Sequence, residues 1–304
     1  MAQVLLLLTG VLCISTSAIV VTLSRTDPTV SAFYRNFLAA LAWFLLLRIW
    51  PRSAWTILPP DRPDRPEHGM LAKRAFSPRI LHGLLCLFFA LDLWAWHRAI
   101  PLLGAGPATL AGNLQVLIVS LAASILFGER LGRHYLPGCI LALAGIALLT
   151  LTPGGGRSTL LGLGYGLLTA VCYAAFLLAL KLIRHSPMRT ETILFRIAWG
   201  TALILAMFAL LEGKSLLLPS RASLAWLLLH AVVSSVAGWW CIIRAMQAIP
   251  VSASSVLLLL QPLLTSLWGA LVLGQTLSFW QVTGIGIAVA GIHLASRRPP
   301  AATA

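Results

Sequence analysis

The stretch GERLGRHYLPGCILALAGIALL, Gly128 to Leu149, decides the fold because the chain carries it twice. Its second copy is GQTLSFWQVTGIGIAVAGIHLA, Gly274 to Ala295. A shift of 146 residues (128 to 274) lays Gly128 on Gly274, Leu131 on Leu277, Gly138 on Gly284, and Ala144-Gly145 on Ala290-Gly291. The same shift holds upstream, placing Trp94 on Trp240, Arg98-Ala99 on Arg244-Ala245, and Gln115 on Gln261. A repeat near half the chain length means one module present twice.

Both copies are apolar enough for a lipid environment. Of the 304 residues, 59% are hydrophobic and 10% charged, where a soluble domain carries about 25% charged residues. The net charge of +14 does not point to nucleic acid, because the basic residues cluster between apolar runs instead of forming a basic face. The five cysteines, Cys13, Cys86, Cys139, Cys172 and Cys241, lie inside apolar runs without CxxC spacing. They read as small packing residues. The seven histidines are scattered too, so no metal site and no cofactor is expected. The first apolar run lacks a basic residue before Arg25, so it reads as a retained helix and not a cleaved leader.

A helix that crosses a bilayer needs about 20 largely apolar residues. Ten runs qualify: 3–23, 29–50, 80–100, 106–127, 134–152, 160–182, 190–211, 223–246, 253–273 and 278–295. The fold class expected is therefore an all-α polytopic membrane protein with ten transmembrane helices. They divide into a first five-helix repeat over 3–152 and a second over 160–295. The long gap at 51–79, with PPDRPDRPEHG, reads as a mobile loop without a core. Fifteen of the 22 Lys and Arg fall on the side that holds the N-terminus and this loop, and five on the other. That bias places both termini in the cytoplasm. Five helices per repeat make the second copy enter from the opposite face, and inverted repeats support alternating access around a site near the midplane.

With the duplicated helices in view, the chain resembles the drug/metabolite transporter superfamily, and within it the EamA-type ten-helix transporters. The residues that carry the resemblance are Gly128-Glu129-Arg130-Leu131 with Gly138 and Ala144-Gly145, then Gln261-Pro262 with Gly274, Leu277, Gly284 and Gly291. Arg35 and Arg196, each near the start of the second helix of its half, fit as well. Gln275 stands where the second copy of the family pattern has Glu, and Val116 stands opposite Pro262, so the halves have diverged. The resemblance implies a secondary transporter, often an exporter, of a small metabolite. Amino acids and amino-acid-derived compounds such as opine-type metallophores lead; uptake or exchange of vitamins, nucleoside-like or drug-like compounds is the alternative. A membrane-embedded enzyme or a non-transporting membrane partner is the reading from another class. An enzyme would need His, Asp or Glu residues converging near one membrane face, and none converge in the sequence. The partners expected are a small-molecule substrate and the bilayer.

Ionisable residues inside membrane helices are costly and mark solute pathways. At about 1.5 Å per residue, Asp92 and Arg35 lie at similar depth, roughly 12 and 9 Å below one face. They could bind a zwitterion, with Asp92 also carrying a coupling proton, or serve as a structural ion pair. Asn113, Gln115 and Gln261 are polar lining candidates; Pro262 beside Gln261 removes a backbone hydrogen bond. Trp94, Trp199, Trp239 and Tyr173 could box an organic cation or ring. Trp43, Trp50, Trp55, Trp226 and Trp280 read as interfacial belt residues. Small residues at Gly138/Ala142/Gly145 and Gly284/Ala288/Gly291 allow close helix approach and would also suit a homodimer face.

Overall fold

The computed structural model describes residues 2–49, 77–103, 105–129, 131–150, 160–183, 188–274 and 277–295. The loop expected at 51–79 lies outside the described residues up to residue 76. Ten helical segments are present among the described residues, numbered here in chain order. They are α1 (Ala2–Ser15 continued by Ser17–Ser24), α2 (Pro28–Ile49), α3 (Pro78–Leu103), α4 (Ala105–Asn113 continued by Gln115–Phe127) and α5 (Tyr135–Thr150). The second half supplies α6 (Leu160–Ile183), α7 (Thr190–Leu211), α8 (Arg221–His230, a π-helical Ala231–Gly238, then Trp239–Met246), α9 (Val251–Leu258 continued by Leu260–Leu273) and α10 (Phe279–Ala295). Eight of them are long and apolar enough to cross a membrane, and α5 and α10 are shorter apolar helices.

The outside of this bundle is apolar. Leu121, Ile125, Leu160, Leu210, Leu271 and Val289 all face outward. A water-soluble monomer does not carry so continuous an apolar surface; lipid accounts for it. Trp280 is exposed on this surface, whereas Trp43 is 2% exposed and belongs to the core, not to the interfacial belt. Trp50 and Trp55 fall outside the described residues.

Neighbour relations between helices come in twins. α3 packs on α6 as α8 packs on α1; α3 on α7 as α8 on α2; α4 on α6 as α9 on α1. The self-twinned pairs α2–α7, α4–α9 and α5–α10 lie between the halves. Exchanging the halves maps these pairs onto one another, which is how a duplicated unit assembles. An odd number of crossings per unit runs the twins in opposite senses.

The repeated glycines make the α5–α10 seam. A Cβ on Gly145 would lie 2.6 Å from the Gly284 carbonyl, and one on Gly291 would lie 2.8 Å from the Gly138 carbonyl. Only glycine permits that approach. The small-residue stripes are thus covered inside one chain, so they no longer argue for a homodimer. Gly128 and Gly274 end α4 and α9 with φ of 67° and 64°, the left-handed cap that glycine adopts without a Cβ penalty.

Candidate functional site

Among the described residues α1, α4 and α9 are each broken into two α-helical pieces, and residues beside the three breaks line one cavity. α1 breaks at Thr16, α4 at Leu114 and α9 at Leu259. The break in α9 follows from Pro262, whose ring meets the carbonyl four residues back, at Leu258. No proline explains the break in α4; there Leu114 N–H bonds Ala111 O and Leu117 N–H bonds Leu114 O, a locally tightened 3₁₀ pattern. The breaks of α1 and α9 are tied together: Thr265 Oγ1 donates to Ser15 O at 2.8 Å, and Trp268 Nε1 to Ser15 Oγ at 2.9 Å.

Beside these breaks lies a cavity of about 90 Å³, where one water needs roughly 10–15 Å³. Its polar lining includes Arg35, Asp92, Asn113, Thr169, Tyr173 and Gln261, and its aromatic wall Phe89, Trp96 and Trp239. Both halves contribute. Arg35 and Asp92 are 4% and 6% exposed and close enough for their charges to interact. Yet no hydrogen bond or ion pair joins them among the described residues. The charges face one cavity without neutralising each other by contact. Asn113 Nδ2 is turned onto Thr109 O at 2.8 Å. The Tyr173 hydroxyl lies within hydrogen-bonding reach of Gln261, and Trp239 meets Phe89, Phe176 and Tyr173 edge-on.

The cavity thus brings together Arg35, Asp92, Asn113, Tyr173, Trp239 and Gln261. Three of the residues expected there stand elsewhere. Gln115 is fully buried beside the α4 break, with no partner on either amide atom, and is absent from the lining. Trp199 is 44% exposed on the outer, apolar surface. Trp94 points towards one membrane face, where its Nε1 donates to Glu212 Oε1 at 2.6 Å.

That contact is part of one of two closures. At the end where α7 finishes, Glu212 accepts from Trp94, from Thr29 Oγ1 at 2.9 Å and from Arg98 in an ion pair. Burial alone would raise the Glu212 carboxyl; the bonds from Trp94, Arg98 and Thr29 hold it below its usual value. Lys214 pairs with Asp27 at 3.0 Å beside it. At the opposite face, Trp240 (the repeat twin of Trp94) donates to Glu191 Oε1 at 2.9 Å. Glu129 receives Lys181 Nζ at 2.8 Å and also caps α9, accepting from Val251 N–H at 3.1 Å and Ser252 N–H at 3.2 Å. A carboxylate on a helix N-terminus satisfies orphan donors and complements the dipole. In the sequence Glu129 stands just past the apolar run 106–127, which gives no means of pairing it across halves.

The Glu129 contacts set a pH dependence. Burial raises its carboxyl, but the Lys181 charge and the bonds from Lys181 and Ser252 outweigh that, so it is held below the ordinary carboxylate value. A depressed folded-state pKa contributes stability above the unfolded-state value, and that contribution is lost as pH falls through the folded value. Purified Glu129→Gln is therefore expected to melt below the wild type at pH 7, by several degrees. The gap should close under acid conditions. An equal gap at both pH values would show that the charge is not what holds this closure.

Ten apolar helices in two twinned halves, with a polar cavity where broken helices meet and a polar closure towards each face, define a membrane transporter. The chain belongs to the EamA-like transporter family, which matches it over residues 1–151 and 160–297. It is 26% identical over 205 residues to the "Probable amino-acid metabolite efflux pump" of Salmonella typhimurium strain LT2, covering 62% of this chain and 67% of that protein. An "Uncharacterized transporter" of Archaeoglobus fulgidus is 28% identical over 176 residues, covering 57% of this chain and 61% of that one. A solved crystal structure superposes with a TM-score of 0.77 over 97% of this chain and 96% of that chain, at 19% identity. That likeness concerns the fold.

Proposed function

We propose that the protein exports a small zwitterionic metabolite, an amino acid or an amino-acid-derived compound, by alternating access. The observation that carries this reading is the pair Arg35 and Asp92, which line one cavity without touching each other. A guanidinium accepts a carboxylate partner and a carboxylate accepts an ammonium, and a zwitterion supplies both. Asn113, Tyr173 and Gln261 offer further hydrogen bonds, and Phe89 and Trp239 an apolar wall. The name of the Salmonella relative supports the same substrate class and outward direction. Asp92 would carry the coupling proton when no ammonium occupies the site. The membrane is a bacterial inner membrane, with the Glu129 face towards the cytoplasm on the Lys/Arg bias.

Efflux from proteoliposomes tests the reading. Vesicles holding the full-length protein and loaded with radiolabelled proteinogenic amino acids should release a subset of them well above empty vesicles, faster when the outside is more acidic. Release equal to that of empty vesicles, for every amino acid and either gradient, would refute it.

A further inference from the structure

Two side chains of the cavity wall also border a second, smaller space. Phe89 on α3 and Trp239 on α8 line both the polar cavity of about 90 Å³ and an adjoining cavity of about 20 Å³. Apolar Phe176, Leu194, Ile197, Ala198 and Ile243 line the smaller one, with Asn36 and Ser235 among them. Ser235 is 7% exposed, and its Oγ has no hydrogen-bond partner among the described residues. Phe89 and Trp239 thus form a partition one side chain thick.

That partition is pinned. Phe89 stacks on Phe176 with ring centroids 4.6 Å apart, and Trp239 stands edge-on to both, at 5.2 Å from Phe89 and 5.3 Å from Phe176. Stacked and edge-on are the arrangements that aromatic pairs prefer, so each ring holds the other two. All three residues are buried. They come from α3, α6 and α8, so helices of both halves fix where the wall stands. Asp92 lies one turn from Phe89 on α3, about 4.5 Å along the axis. A solute whose ammonium sits at Asp92 then presses its side chain against the partition.

We propose that Phe89 and Trp239 set the upper size of the transported solute, admitting amino acids with small or medium side chains and rejecting aromatic ones. This rests on the zwitterion reading above and narrows its substrate class. At roughly 10–15 Å³ for each water-sized particle, the polar cavity holds on the order of six to nine non-hydrogen atoms. Glycine, alanine, serine and leucine fall within that count; tyrosine and tryptophan exceed it. With the partition cut back, the two cavities and the volume of the lost ring become one space. An indole then reaches the apolar lining of the second cavity, where Ser235 Oγ can accept its N–H.

Binding of L-alanine and L-tryptophan, read as the shift in unfolding temperature of the purified full-length protein, tests this. The wild type should bind alanine at least about tenfold more tightly than tryptophan, since even one methylene too many in a fitted pocket costs about that factor. Phe89→Ala and Trp239→Ala should reverse the order. Phe89→Leu and Trp239→Leu, which keep more of the packing, should move it the same way by less. Ile197→Ala enlarges the second cavity behind an intact partition and should keep the wild-type order. Tryptophan bound by the wild type as tightly as alanine, or no binding of either, would overturn the proposal, and that arm needs no variant to fold. So would partition variants that keep the alanine preference, or an Ile197→Ala protein that loses it. Efflux from proteoliposomes separates this from the parent reading. Efflux that takes tryptophan and alanine alike leaves the export reading standing and removes the size limit. An alanine preference in binding without efflux of any amino acid does the reverse.

Discussion

Net efflux through Asp92→Asn and through Arg35→Gln is expected to fall at least tenfold, and the double variant is the informative one. Both residues are buried, and each moderates the cost of the other's charge through the cavity. Removing one leaves the other's buried charge with less compensation, which is destabilising. Each single variant should therefore also melt well below the wild type. The double variant removes both charges, so neither is left buried without the other. It should recover most of the thermal stability and none of the transport. A merely structural pair would behave otherwise: the double variant would then recover efflux along with stability. Efflux by the proteoliposome assay and unfolding in detergent, run on the same four proteins, distinguish the two roles. Asp92→Asn should also lose any dependence of the residual rate on the proton gradient.

Helix number and pairing were legible from the chain because they rest on long periodic features. Ten apolar runs and the 146-residue shift give the ten segments with boundaries within about three residues of those observed. Arg35 and Asp92 stood out in the sequence as ionisable residues inside apolar runs, and both line one cavity; the observed end of α3 at Leu103 sets Asp92 deeper than the run boundaries suggested. Which side of a helix looks inward was harder. A helix that is apolar all round carries no stripe to orient it, so Trp199 and Trp94 could not be told apart from Trp239. Trp239 lines the cavity, Trp199 faces outward and Trp94 reaches Glu212. Gln115 and Gln261 are repeat twins, yet only Gln261 lines the cavity. The break at Leu259 precedes its glutamine by two residues and that at Leu114 by one, which changes the phase between them. The latter break has no proline to announce it.

Gly145→Val and Gly291→Val are expected to abolish the folded protein or lower its unfolding temperature far more than exchanges at open positions of α5 and α10. The added Cβ of either residue meets backbone of the facing helix, at Ala288 and Gly284 for Gly145 and at Ala142 and Gly138 for Gly291. Backbone cannot step aside as a flexible side chain can, so the two helices must separate. Overpacking of a tight core costs about 1–3 kcal/mol, and two helices forced apart also lose the dispersion contacts of the whole seam. Lipid provides no hydrophobic drive to push them back together, because helix association in membranes depends on close packing. Gly286 supplies the control on the same helix: a Cβ there meets nothing within 4 Å. Gly286→Ala should leave stability unchanged or slightly raised, since alanine favours helix over glycine. The contrast isolates contact from helix propensity, because both sites lie in α10 and lose a glycine. The seam joins the last helix of one half to the last helix of the other, so its loss frees the halves from each other at that edge. Fluorescence-detected size exclusion of the variants in mild detergent measures this. A monodisperse Gly291→Val peak melting with the wild type would mean that α5 and α10 do not approach as closely as their glycines allow.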